Sequence, residues 1–237
     1  MTSRGVSDVL GYALIFALII SMVGLVYTMG VGGLNDVRES EKLSNAERAF
    51  DVLDANIADL TRGTAQSRGT EIKLQDAALD FGDPVAINVT VADEGSYEAT
   101  LTPIYFAGDD EGSKIVSANG AVFREGADGA VMRSEPTFVF GEKTVVPMVV
   151  TRTRDSGRTG SGRVLVRTVV ADRSVVHLPA EGANVTITVA SPRADAWADH
   201  LSAESDGTCE VTGNEVTCTV VADDVYVQVV RVDVTLI

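Results

Sequence analysis

From Val9 to Asn35 the chain carries no charged side chain. A helix rising about 1.5 Å per residue covers roughly 40 Å over such a run, more than the roughly 30 Å hydrocarbon core of a bilayer. The stretch is therefore a cleaved export signal, a membrane anchor or an assembly element. An export signal has a shorter apolar region closed by a small-x-small cleavage site. The nearest candidates are Gly30, Gly32 and Gly33, and the run before them is too long for that reading.

The residues ahead of the run narrow the choice. Arg4-Gly5 precedes Val6-Ser7, with Val9-Leu10-Gly11 close behind. This arrangement resembles the class III signal of archaeal type IV pilins, in particular the haloarchaeal pattern Val-Ser-Pro-Val-Ile-Gly, with Asp8 here at the proline position. The resemblance implies that a prepilin peptidase recognises Arg4, Gly5 and Val6 and cleaves between Gly5 and Val6. It further implies that the apolar segment stays in the mature protein. The expected division is a leader over 1–5, a transmembrane or filament-core helix over 6–34, an amphipathic helical stalk over 35–63 and an extracellular β domain over 64–237.

Within the run, Ala13, Ala17, Ser21, Gly24 and Thr28 are spaced four, four, three and four apart. Such spacing gathers them on one helical face, where small side chains let another helix approach closely. Small residues are also common in spanning helices generally, so the stripe alone does not separate packing from anchoring. Arg4 lies before the run, whereas Asp36, Arg38, Glu39, Glu41 and Lys42 follow it. The positive-inside rule then favours a cytoplasmic N-terminus and an external remainder.

After the glycines, Leu43, Ala46, Phe50, Leu53, Ile57 and Leu60 recur at intervals of three and four with charged residues between them. This predicts an amphipathic helix that packs on its own domain, pairing with another chain being the alternative. Asn35 or Asp36 is the expected cap, Gly63 the expected stop, and the glycine cluster an expected kink or melted turn.

From residue 70 the period changes to two. The runs "VAINVTVAD", "YEATLTPIYF", "TVVPMVVTRT", "RVLVRTVV", "ANVTITVAS" and "DVYVQVVRVDVTLI" are β-branched and alternating, separated by turn signals such as Asn119-Gly120. The expectation is an α+β chain: a long N-terminal helix followed by a mostly antiparallel, sandwich-like β head. One short helix interrupts it, with Ser191 as cap, Pro192 at its first position, and Trp197 and Leu201 facing inward.

In "CEVTGNEVTC" a two-residue turn at Gly213-Asn214 puts Cys209 opposite Cys218. Counting outward, this pair is non-hydrogen-bonded, where Cα atoms stand about 4.5 Å apart and a disulfide fits. Two free thiols or half of a metal site are the alternatives. No further cysteine exists, and His177 and His200 lie in unrelated segments, which argues against metal. Asn88 and Asn184 each begin an Asn-Val-Thr glycosylation acceptor pattern and are expected to face solvent. The acidic stretches 108–113 and 222–225 lack the spacing of a calcium loop and read as solvated turns.

The sequence holds 34 Asp and Glu against 19 Lys and Arg, for a net charge of −15. That balance excludes a nucleic-acid partner, whose phosphates need a basic surface. Only four lysines occur, and this acid-rich, lysine-poor usage resembles that of halophilic archaeal proteins, an ordinary acidic secreted protein being the alternative. No nucleophile elbow, phosphate-cradling loop or His-Glu helix is present, so neither an enzyme nor a cofactor is expected. The expected function is a pilin-like surface protein that associates with itself or with other pilin-like subunits through its apolar helix. The alternative is a single-span anchored β domain that binds a partner without forming filaments.

Overall fold

The computed structural model describes residues 3–108 and 112–237, for 3–9 and 29–36 the backbone alone. The chain divides into two compact units, Met1–Lys42 and Leu43–Ile237. Helix α1 (Ser3–Thr61) supplies the first unit and also the opening element of the second.

The helix runs through Gly30, Gly32 and Gly33, so no turn is melted there, and Asn35 and Asp36 lie inside it and do not cap anything. A glycine weakens a helix interior by only about 1 kcal/mol relative to alanine, which good helix formers on either side can absorb. The stop signal is where the sequence puts it. Gly63 adopts a φ of 79°, its N–H bonds the carbonyl of Leu60, and the Thr64 N–H bonds that of Asp59. These two bonds are the Schellman pattern, which needs a left-handed residue that glycine adopts without a Cβ clash. The Arg173 guanidinium donates to the carbonyls of Leu60 and Ala65, both from Nη2 at 2.8 and 2.9 Å, placing a cation at the negative end of the helix.

In the second unit the backbone of the fold is an antiparallel ribbon of β11 (Arg163–Ala190) and β13 (Glu215–Leu236), bent by register shifts at Val170/Asp172 and Pro179/Ala183. Each end of the ribbon recruits different neighbours. Along one stretch β11 pairs with β1 (Ser67–Lys73) and β13 pairs in parallel with β9 (Lys143–Thr153). At the other, β11 pairs with β3 (Val85–Val91), which continues to β4 (Gly95–Leu101), while β13 pairs with β12 (Thr208–Thr212). A second, six-stranded sheet runs β10 (Arg158–Gly160), β2 (Ala77–Phe81), β5 (Ile104–Ala107), β6 (Lys114–Ala118), β7 (Ala121–Gly126) and β8 (Gly129–Ser134). The architecture is the expected α+β class, mostly antiparallel. Three of the expected runs are divided differently, however. "YEATLTPIYF" splits at Pro103 between β4 and β5 in different sheets, and "RVLVRTVV" and "ANVTITVAS" belong to one long β11.

Two cores result, on opposite faces of the β9–β13 pair. Val225, Val227 and Val229 enter the first with Val146, Met148, Val116 and Phe123. Val230, Val232 and Val234 enter the second, which the α1 stripe closes: Leu43, Ala46, Phe50, Leu53, Ile57 and Leu60 are all buried there. The strand period of two dictates the switch, since Val229 and Val230 necessarily point to opposite faces. The stripe packs within its own unit, and the division at Lys42/Leu43 follows from that burial.

Helix α2 (Ala194–Glu204) covers the first core with Trp197 and Leu201, both fully buried. Trp197 meets Phe123 at 5.5 Å and Phe138 at 6.4 Å between ring centroids. The residue at the cap position is Arg193, without a side-chain cap bond, which corrects the assignment to Ser191. Ser191 Oγ instead accepts the Arg193 N–H at 3.2 Å, holding the turn that precedes the helix.

The hairpin of β12 and β13 has the register counted from its turn, with Cys209 opposite Cys218, Cα atoms 4.1 Å apart and the sulfurs bonded. Replacing both cysteines by serine is expected to lower stability by about 2–3 kcal/mol, the chain-entropy value for so short a loop. Urea denaturation measures it, and an unchanged midpoint would refute the estimate.

Candidate functional site

In the first unit the stretch Leu10–Thr28 has a mean hydropathy of 2.3 and is long and apolar enough to cross a membrane. Its large side chains are exposed: Tyr12 82 %, Leu14 70 % and Tyr27 71 %. So much apolar surface is stable only when something outside the chain covers it. The hydroxyls of Ser21 and Thr28 are already satisfied. Ser21 Oγ donates to the Ala17 carbonyl at 2.8 Å, and Thr28 Oγ1 to the carbonyls of Gly24 and Leu25 at 3.1 and 3.0 Å. These internal bonds let polar residues sit in an apolar medium at little cost. A Cβ added at Gly11 or Gly24 would meet nothing within 4 Å. No contact within the chain therefore requires those glycines. Of the expected processing residues Arg4, Gly5 and Val6, the backbone is helical and the side chains lie outside the description.

In the second unit a cleft of about 330 Å³ opens between the end of α1, the Asn119-Gly120 turn and the segment 135–139. Asn119 and Gly120, with φ of 53° and 73°, close the β6–β7 hairpin. The Asn119 side chain reaches β9, its Nδ2 donating to the Pro147 carbonyl at 3.1 Å and its Oδ1 accepting from the Val149 N–H at 2.7 Å. Asn119 thus pairs the two backbone groups of β9 that flank Met148, the Pro147 carbonyl and the Val149 N–H. Asp54 lines the cleft and accepts a 2.7 Å bond from Ser134 Oγ.

Two carboxyls of α1 shift in opposite directions. Burial pushes Asp54 above its ordinary value, the Ser134 bond opposing it, whereas the bond from Arg68 holds Asp59 below its own. A raised carboxyl pKa costs stability above that pKa, and the cost vanishes once pH falls below the unfolded value of about 3.9. Asp54→Asn is therefore expected to stabilise the protein at neutral pH and to converge with the parent at acid pH. Denaturation curves across pH test this, and parallel profiles would contradict it.

The remaining sequence candidates are scattered. Asn184 is exposed within β11, opposite Val221, as expected, but Asn88 is only half-exposed in β3 and its Oδ1 is buried. That carbonyl oxygen is covered because β3 lies between β4 and β11 rather than at a sheet edge. Asp224 bonds His177 Nε2 at 2.6 Å, and His177 stacks on Tyr226 at 4.8 Å between ring centroids. Of the other acidic stretch, Asp109, Asp110 and Glu111 lie outside the described residues. His200 is buried in α2, edge-on to Phe138.

Comparison with curated proteins and with solved structures gives no match. Residues 4–235 match a family of unknown function, DUF7289. The match begins at Arg4, ahead of the apolar run, and ends within β13, and by this near-complete coverage the chain belongs to that family.

Proposed function

We propose that this protein is a pilin-like surface protein, a subunit or minor component of a type IV pilus-like filament, assembled through its N-terminal apolar helix. The observation that carries the reading is the pairing of the Arg4-Gly5-Val6 leader motif with an apolar stretch whose large side chains are exposed. A prepilin peptidase cuts after Gly5, the helix holds the protein in the cell membrane with its N-terminus cytoplasmic, and the β domain lies outside. The disulfide agrees with an oxidising, external compartment. The acidic surface suits a halophilic archaeal cell, where carboxylates keep the protein hydrated in brine.

A plain single-span anchor is the competing reading, favoured by the closure of the β unit's second core on its own helix stripe, which leaves the β domain no obvious need of a neighbour. The mature N-terminus separates the two. Protein isolated from host membranes is expected to begin at Val6, and Gly5→Trp is expected to accumulate as full-length precursor. A chain that still begins at Met1 or Thr2 identifies an anchor, and one that begins after Gly32 identifies an ordinary secreted protein.

A further inference from the structure

Neither ring nitrogen of His200 is accessible to solvent, and among the described residues neither has a hydrogen-bond partner. The side chain is 6 % exposed. Burying an imidazole without partners forfeits the hydrogen bonds that water would make to it, so an orphan of this kind calls for an explanation. The neighbours supply one. Glu204 stands one turn further along α2, on the same helical face, and Glu135 arrives from the segment after β8. One ring nitrogen and one oxygen of each carboxylate lie within 4.8 Å of one another. Both glutamates are exposed, and among the described residues neither forms an ion pair or hydrogen bond. Two unneutralised carboxylates and an unpartnered nitrogen thus converge on one point, next to the negative end of α2.

We infer that Glu135, His200 and Glu204 bind a divalent transition-metal ion of the zinc class. The donor set selects the class: a nitrogen ligand disfavours calcium and magnesium, which take oxygen, whereas zinc accepts imidazole and carboxylate together. Ligand atoms about 2.0–2.1 Å from a tetrahedral zinc stand about 3.4 Å apart. The two glutamates, exposed and able to change rotamer, close the remaining gap without moving the buried ring. Three protein ligands leave a position for water, on the side where the carboxylates face solvent. The ion joins the last turn of α2 to the segment after β8, and its binding requires no cysteine, both being committed to the disulfide.

The test uses the full chain in detergent micelles, stripped with a chelator and titrated with zinc chloride by calorimetry. One ion per chain is expected, with affinity reduced at least tenfold in Glu135→Gln and again in Glu204→Gln, exposed positions at which substitution leaves the core intact. In parallel, the ring resonances of His200 shift on saturation while those of His177, the second of the 2 histidines, stay in place. Absence of saturable binding, affinity undiminished in either glutamate variant, or a shift confined to His177 overturns the inference.

Discussion

Phe50→Ala is expected to destabilise the β unit by about 3–5 kcal/mol, the range for emptying a buried aromatic position. Phe50 is 0 % exposed and sits mid-stripe among Ala46, Leu53 and Ile57, facing the strands of the second core. A domain of this kind is stable by only about 5–15 kcal/mol, so a single truncation removes a large fraction of the total. Val52→Ala, on the same helix but 53 % exposed, is the control and should cost well under about 1 kcal/mol. Urea denaturation of the full chain in micelles reads both. Equal small effects would mean that the helix end is an accessory and the sheets close without it.

The stripe was legible because a helix that seals a core must repeat its apolar residues every three or four positions, and all six of those residues are buried. The disulfide was legible for a similar reason. A two-residue turn fixes the register of both strands, so the partner of Cys209 can be counted from Gly213. What the sequence did not carry is non-local. "AALDF" is too short and mixed to announce a strand, yet it becomes β2 because β5 and β10, distant in sequence, complete its hydrogen bonds. The parallel pairing of β9 with β13 is likewise set by the whole topology. Pro147 argues locally against a paired strand, yet it lies within β9, where its carbonyl accepts a bond from Asn119, 28 residues earlier. The same limit hid the approach of Glu135 to His200. Spacing places Glu204 beside His200 on one helix, but only the fold brings the segment after β8 to that helix. At the N-terminus the apolar run is a local feature, and so it could be read directly.

The other large effect concerns the small-residue face. Replacing Ala17 and Ser21 together by leucine is expected to leave membrane insertion and cleavage after Gly5 intact while abolishing or strongly reducing surface filaments. Lipid accepts leucine as readily as alanine, so an anchor loses nothing by the change. Helices that pack against one another do lose, because leucine fills the space that small residues leave for a neighbouring backbone. The positions are suitable for the test. Both are exposed, and among the described residues the one side-chain hydrogen bond lost is that from Ser21 Oγ to the Ala17 carbonyl within the same helix, so the substitutions add bulk without breaking the fold. Gly24→Leu extends the series, since a Cβ there meets nothing in the chain and any loss must come from contacts outside it. Leu14→Ile with Leu18→Ile is the control, changing shape on the large-residue face and leaving the stripe open. Filaments or cross-linked oligomers at parental amounts in the Ala17→Leu/Ser21→Leu protein would remove the packing role and leave the apolar helix as an anchor, with the β domain acting alone at the surface.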